Sequence, residues 1–392
     1  MSERLAAADK GIKSKVALYH CDSEKQIPEI VHSIIDVLGR EKVATLFRNK
    51  KVLLKPNVCV DLPPERGATT HPAVLDAVIG LAKDFGAHVI VGDGAAVGVR
   101  GKPFKVTGVE EVCQRHGVEL IDFNRQPGKT VTLANALAFH EVSIANTYFE
   151  IDTLVNLPAF KSSIIFWLTG ALKNIKGLLT GKEKHRAHRL GVPECVADLN
   201  RIVRQDLIIM DGFVGMMGNG PIAGEPANAK LLMGGFDPVA IDVVEALLMG
   251  LPVAEIPMIN LAAQAGVGSL DYELVGDPIA SFHIDFLKPL IARDKEGTAL
   301  LTAYADASFE EMKKKGGMVI NFDKCDLCLR CRDACPFGAI TFAKETKTIT
   351  IDREKCVWCL CCTEVCTSLA IHLEGIPELR DTHNRVDQLL SK

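Results

Sequence analysis

Cys325-Asp-Leu-Cys328-Leu-Arg-Cys331-Arg-Asp-Ala-Cys335-Pro336 and Cys356-Val-Trp-Cys359-Leu-Cys-Cys362-Thr-Glu-Val-Cys366-Thr367 are two copies of one spacing, C-x2-C-x2-C-x3-C. Each cysteine of the second run lies 31 positions after its counterpart, and the flanks repeat with them. Asp323-Lys324 answers to Glu354-Lys355, and Gly338-Ala339-Ile340 to Leu369-Ala370-Ile371. A repeat that keeps its register through flanks and cysteines alike is a duplicated module. The copies differ at two points: Thr367 replaces Pro336, which frees that turn, and Cys361 adds a ninth thiol beside Cys362.

A thiolate is a soft, anionic ligand suited to iron bridged by sulfide. The spacing sets three thiolates on a tight loop and a fourth on the chain beyond it, the arrangement that surrounds a cubane [4Fe–4S] cluster. Repeated C-x2-C pairs also hold zinc, but a third cysteine at the same short interval, twice over, suits a cubane better than a tetrahedral ion. The run resembles the bacterial two-cluster ferredoxin. That resemblance implies two [4Fe–4S] clusters, with the fourth cysteine of each run crossing to the other cluster. One cluster then takes Cys325, Cys328, Cys331 and Cys366, and the other Cys356, Cys359, Cys362 and Cys335. Cys361 is left as an alternative ligand or as a packed thiol turned away from iron. The implied chemistry is electron transfer, with a redox partner protein or another low-potential donor.

The module accounts for a small part of a chain of 392 residues, so a large body of another kind precedes it. Hydrophobic residues at 48% and charged ones at 24% are those of a globular protein, and a formal charge of −4 argues against bulk nucleic-acid binding. With eight of thirteen cysteines in the repeat and Cys21, Cys59, Cys113 and Cys195 scattered, no disulfide framework is indicated. Met1–Lys15 lacks a signal-peptide core, and no uninterrupted apolar stretch has the length of a membrane span. A cytoplasmic protein of an anaerobe, with no membrane association, is the expectation.

Short apolar runs alternate with amphipathic ones through the body. Strands are expected at Lys15–His20, Lys51–Lys55, His88–Val91, Val118–Asp122, Glu141–Ile144, Thr153–Asn156, Leu207–Met210 and Lys230–Met233. Helices are expected at Pro28–Leu38, Ala73–Phe85 and Val239–Met249, with Pro72 at the first helical position of the second. The pattern predicts an α/β fold, a mostly parallel sheet flanked by helices, over 1–317. A small α+β ferredoxin-like domain follows at 318–375, after a helix over Thr298–Lys315, and 376–392 is a polar tail. Ligands in open α/β sheets gather at the carboxyl ends of strands, where Lys55, Asn57, Asp93, Lys161, Asp211 and Asp237 fall.

Between Lys161 and Arg189 basic residues crowd together, including Lys173, Lys176, Lys182, Lys184 and Arg186, with His185 and His188 among them. Lys173 and Lys176 share a face if helical. Such a run is either a solvated surface or a seat for an anionic small molecule or an acidic partner. A second candidate is the glycine-dense segment Asp211–Pro226, in which Gly218-Asn219-Gly220 could close on an anion or merely turn tightly. Gly92-Asp93-Gly94 lacks the context of a dinucleotide fingerprint.

Several blocks together resemble the DUF362 family, whose members often carry a C-terminal ferredoxin module. They are Lys55-Pro-Asn57, Leu157-Pro-Ala-Phe-Lys161, Thr169-Gly-Ala-Leu-Lys173-Asn174-Ile-Lys176-Gly177, Asp211-Gly212 through Gly218-Asn-Gly-Pro221, and Asp237-Pro-Val-Ala-Ile-Asp242. Where the family often has Lys-Thr-His, this chain has Lys161-Ser162-Ser163, so no histidine serves as an acid there. The resemblance implies a fold and a set of positions without a reaction. A reductase or redox-activating enzyme is the leading expectation, gripping an anionic substrate or cofactor with Lys55, Asn57, Lys161, Lys173, Asn174, Lys176 and Gly177. His185, Asp211 and Asp237 are candidates for moving a proton or holding a metal, and an organic cofactor is left open. The alternative is a non-catalytic electron-transfer or accessory protein whose basic face docks an acidic partner.

Overall fold

A computed structural model describes residues 13–99, 101–164, 166–287 and 316–374. The helix expected at Thr298–Lys315 and the tail 376–392 lie outside them. The body is built on an 11-stranded sheet flanked by helices. Eight strands run across it in the order Tyr272–Gly276, Ser14–His20, Leu231–Gly235, Leu207–Met217, Thr153–Leu157, Lys51–Pro56, His88–Asp93 and Glu119–Asp122. Every neighbouring pair in this row is parallel except those made by Leu231–Gly235, which runs antiparallel to both neighbours.

Apolar strands of this kind are buried on both faces, which is why they read as continuous rather than alternating runs. Val52 and Leu54 pack with the helices Ile27–Leu38 and Pro72–Asp84, while Leu53 points to the opposite layer. Ile208 and Met210 face the helix Pro238–Leu248, itself buried along nearly its whole length. Asp237 caps that helix, its Oδ1 accepting from Val239 N at 2.8 Å and Ala240 N at 3.2 Å. Two differences from the sequence reading stand out. Glu141–Ala145 leaves the main sheet to form a hairpin with Gly128–Thr132, and Tyr272–Gly276 supplies an edge strand that was not foreseen. Alternating polarity identifies a strand but not the sheet it joins.

The C-terminal module has two small antiparallel pairings, Gly317–Ile320 with Ile371–Glu374 and Ile340–Ala343 with Thr348–Ile351. Two short helices, Arg330–Ala334 and Cys361–Glu364, complete it. The 31-residue repeat extends to the backbone: Leu327 and Trp358, Leu329 and Leu360, and Gly338 and Leu369 all have φ between 52° and 63°. Left-handed leucines and a tryptophan are costly, so the surrounding loop must impose this geometry twice. Both helices face the body, where Arg330 pairs with Asp61 at 3.0 Å and Glu364 with Lys173 at 3.8 Å. Gly98, at φ +88°, permits the close contact of this interface, because a Cβ there would stand 2.8 Å from the Arg330 carbonyl oxygen.

Candidate functional site

The eight repeated thiols divide between two small cavities inside the module. Cys325, Cys328, Cys331 and Cys366 line one, with Ile320, Ile349 and Ile371 around them. The other is lined by Cys335, Cys356, Cys359 and Cys362, with Met318, Ile340 and Trp358. In each, three thiols come from one run and the fourth from the other. Among the described residues, no three histidine, cysteine or carboxylate side chains are grouped to hold a single metal ion. Four thiols spread around an apolar cavity suit the wider span of a polynuclear cluster.

A third cavity, of about 130 Å³, lies where the module meets the carboxyl ends of the body's strands. From the body it is lined by Asn57, Cys59, Asp93, Lys161, Thr169, Lys173, Asn174, Lys176, Lys184, His185 and His188. The module contributes Ala334, Cys361, Glu364 and Val365. The segment carrying Lys173 and Lys176 is set by a buried carboxylate. Asp242 accepts from Ala171 N at 2.6 Å and Leu172 N at 3.1 Å, starting the helix Gly170–Asn174 behind a left-handed Gly170. With burial dominating, Asp242 has its pKa well above the usual carboxylate range.

A file of amides then locks this helix to the strand ends. Lys161 Nζ donates to Asn57 Oδ1 (3.0 Å), Asn57 to Asn174 (2.8 Å), Asn174 to Asn156 (2.6 Å), Asn156 to Gln205 (2.6 Å) and Gln205 to Asn200 (2.7 Å). Asn200 ends the file on the Leu172 carbonyl at 3.0 Å. Each amide both donates and accepts, so orientation is fixed along the whole row. Asn57 and Asn174 are thereby committed to holding the wall.

The lysines divide by what they already hold. Lys55, fully buried, sits 2.7 Å from Asp93, and burial lowers its pKa against the pull of that carboxylate. Lys161, equally buried, donates to Asn57, Cys59 Sγ (3.2 Å) and the Ala68 carbonyl. Lys184 donates to Gly94 O (2.8 Å), Ala95 O (3.0 Å) and Asn124 Oδ1 (2.7 Å), and burial brings it down to about 7. Lys173 donates to Ser163 Oγ at 3.2 Å and lies over Phe166; burial lowers it and Glu364 opposes the shift. Lys176 keeps some surface open to the cavity yet lies deep beneath the molecular surface. Its contact is His188 Nε2 at 3.2 Å, and burial followed by the Lys173 charge lowers it to about 8. His188 is pushed well below its usual range by burial, so it meets Lys176 as a neutral acceptor.

Gly177 and Gly94 allow these elements to touch, since a Cβ on Gly94 would meet the Gly177 carbonyl oxygen at 2.7 Å. Gly218, Asn219 and Gly220 are placed behind the wall, where Ser162 Oγ donates to Gly218 O at 2.9 Å; their neighbour Pro221 lines the cavity. Asp211 and Asp237 do not line it. Asp211 accepts from His71 N (2.6 Å) and Phe213 N (2.9 Å), while Asp237 caps its helix and accepts from Ser14 Oγ and Ser269 N. His185 does reach the cavity, its Nε2 buried and without a hydrogen-bond partner among the described residues. Cys59 and Glu364 carry no functional signal in the sequence; Lys184 figures there only within the basic run, and Thr169 only as the first residue of a family block. Three stretches of body and a second domain bring them together, and only the preceding Lys161 and Gly170 blocks hinted at that convergence.

An α/β body whose strand ends are covered by a thiol-rich module defines an iron–sulfur protein of two domains. Residues 52–246 match the model of a domain of unknown function, DUF362, and residues 317–367 that of a 4Fe-4S dicluster domain. A thylakoid-associated protein of Synechocystis sp. is 30% identical over 226 residues, which are 56% of this chain and 68% of that protein. The chain belongs to the DUF362 family and carries a domain for 4Fe-4S clusters. Among solved structures, the lactate racemase apoprotein of Thermoanaerobacterium thermosaccharolyticum is similar at a TM-score of 0.39 and 12% identity. The match covers 62% of this chain and 59% of that one, so the chain spans about three fifths of that protein's length. No helix among the described residues is long and apolar enough to cross a membrane.

Proposed function

We propose that the chain is a reductase or redox-activating enzyme that passes electrons from two [4Fe–4S] clusters to a small anionic acceptor held in the interdomain cavity. The observation that carries this reading is the shared wall: Cys361 and Glu364, on the cluster-bearing module, line the same cavity as Lys173 and Lys176. One cluster is assigned to Cys325, Cys328, Cys331 and Cys366, and the other to Cys335, Cys356, Cys359 and Cys362. Bound there, the clusters supply single low-potential electrons.

The chain's own residues do the rest. Lys173, nearly buried, and Lys176, half-buried, attract and orient the anion where burial weakens solvent screening. Lys161, Lys184 and the amide file hold the wall rigid, so that the acceptor's position does not drift between electron transfers. His185 Nε2, orphaned at the cavity, is placed to donate a proton to the reduced acceptor. Having donor and acceptor on one chain makes the transfer intramolecular.

The reading is tested by mixing the dithionite-reduced, cluster-loaded protein with the protein-free ultrafiltrate of a cell extract under nitrogen, and following the return of cluster absorbance. Reoxidation that disappears in a Lys173→Met/Lys176→Met variant with full iron content supports a reductase. If only the protein fraction of the extract reoxidises the clusters, the chain is an electron carrier for a partner and the reductase reading fails.

A further inference from the structure

The cavity's two walls differ in chemistry. On the body side, Lys161 and Lys184 are spent on protein acceptors, as is Lys55, which does not line the cavity, whereas Lys173 and Lys176 keep N–H groups to offer. Beside them Thr169, 4% exposed, has a buried hydroxyl with no hydrogen-bond partner among the described residues. A buried orphan hydroxyl is costly and calls for a partner that a ligand supplies. Four lysines line the cavity against the carboxylates of Asp93 and Glu364, so the surplus charge is positive. Elsewhere the lining is mostly apolar, Ala96, Val97, Ala334 and Val365 with the Cys361 thiol among them, and Glu364 is the carboxylate there, held 3.8 Å from Lys173.

We propose that the cavity binds a small organic carboxylate with an apolar body. The carboxylate oxygens lie on Lys173 Nζ, Lys176 Nζ and the Thr169 hydroxyl; the body lies against Val97, Ala334 and Val365, within reach of the module. This rests on the reading of the cavity as the acceptor site and names what that site takes. A planar carboxylate can receive two ammonium groups on one edge and a hydroxyl on the other. Inorganic phosphate would satisfy the cationic wall but leave the apolar one wet. An apolar cavity of ~150 Å³ admits a benzene ring; this one, at about 130 Å³, is slightly smaller, so its ligand is at most a single ring. Benzoate is therefore a fitting probe.

Isothermal titration of the oxidised, cluster-loaded protein under nitrogen, with benzoate, acetate and phosphate in turn, decides the matter. Benzoate should bind one per chain, and acetate and phosphate roughly tenfold more weakly or worse. Lys176→Met and Thr169→Val should each weaken benzoate about tenfold with iron content unchanged, and Lys176→Arg should recover most of the loss. Equal affinity for phosphate and benzoate, no benzoate binding, or benzoate binding indifferent to both substitutions overturns the proposal. No electron moves in this titration, so the two readings separate. Benzoate binding without reoxidation by small molecules keeps the site and removes the reductase. Reoxidation unaffected by Lys176→Met or Thr169→Val does the opposite.

Discussion

The two halves of the C-terminal module share a backbone and differ in what they face. Leu327 and Leu329 in the first adopt the same left-handed turns as Trp358 and Leu360 in the second. Yet Cys328 is exposed, while its counterpart Cys359 is partly covered. Arg330 closes an outer rim on Asp61; the equivalent Cys361 lines the cavity at 5% exposure. Asp333 corresponds to Glu364, which reaches the buried Lys173. Ligand geometry constrains the cysteines and their turns, so both halves kept them. The positions between differ: the second half gives the cavity Cys361, Glu364 and Val365, and the first gives it Ala334.

The largest effect should come from cutting the link between the halves. If the fourth thiol of each run serves the other half, Cys335→Ser and Cys356→Ser remove the same cluster. Both variants should lose about half the iron, and their reduced forms should give matching electron paramagnetic resonance spectra. Cys335→Ser matching Cys325→Ser instead would sink the crossed assignment. A buried cluster ligand leaves little scope for compensation, so the result is expected to be all or nothing at one site.

Charge on the cavity side gives the next contrast. Lys184 loses its proton near pH 7 in the folded chain, burial being the main cause, whereas an ordinary lysine keeps it to about 10.5. Lys176 behaves likewise from about 8. Over that window the unfolded chain binds more protons than the folded one, so stability should rise as pH climbs from about 7 toward 10. Urea midpoints measured anaerobically across this range should show the rise, and Lys184→Met should flatten it. The rim variant Asp61→Asn should leave the slope untouched.

The same two sides can be compared through their ion pairs. Glu364→Ala strands the Lys173 ammonium in a nearly buried place, with a cost of about 3 kcal/mol. The Arg330–Asp61 pair is more exposed, and Asp61→Asn should cost roughly 1 kcal/mol or less. Denaturant midpoints of the cluster-loaded variants check the ranking. Equal costs would mean that the cavity side is no drier than the rim.

What could be read from the sequence follows the same division. The module was legible because cysteine spacing is dictated by ligand chemistry, and the central strands because runs such as Lys51–Lys55 and Leu207–Met210 are apolar on both faces. Lys173 and Lys176 stood out as a basic run, but Lys184 in that run proved to be a strut, since composition does not say which ammonium finds three acceptors. Asp237 follows a strand end as expected, but the strand expected to stop at Met210 runs on to Met217 and encloses Asp211, and backbone N–H groups occupy both carboxylates. Cys59 and Glu364 carry no local signal, and Thr169 only its place at the head of a family block. They meet only after three distant stretches fold together, and that juxtaposition has no sequence period.

Position 361 offers the smallest expected effect and the sharpest use of the comparison. Cys361→Ser keeps shape and removes sulfur, so if the eight paired thiols hold all the iron, iron content should not change. Stability should shift by less than about 1 kcal/mol, and benzoate affinity by no more than about threefold, because Cys361 lies at the apolar end of the cavity. Loss of iron in this variant would make the ninth thiol a ligand. Cys361→Arg installs the residue that the first half carries at its matching position. Arg330 lies over the rim, but an arginine at 361 points its guanidinium into a cavity already rich in lysine. It should abolish benzoate binding while both clusters remain, and a Cys361→Arg protein that still bound benzoate would show that the two halves are less differentiated than their surroundings indicate.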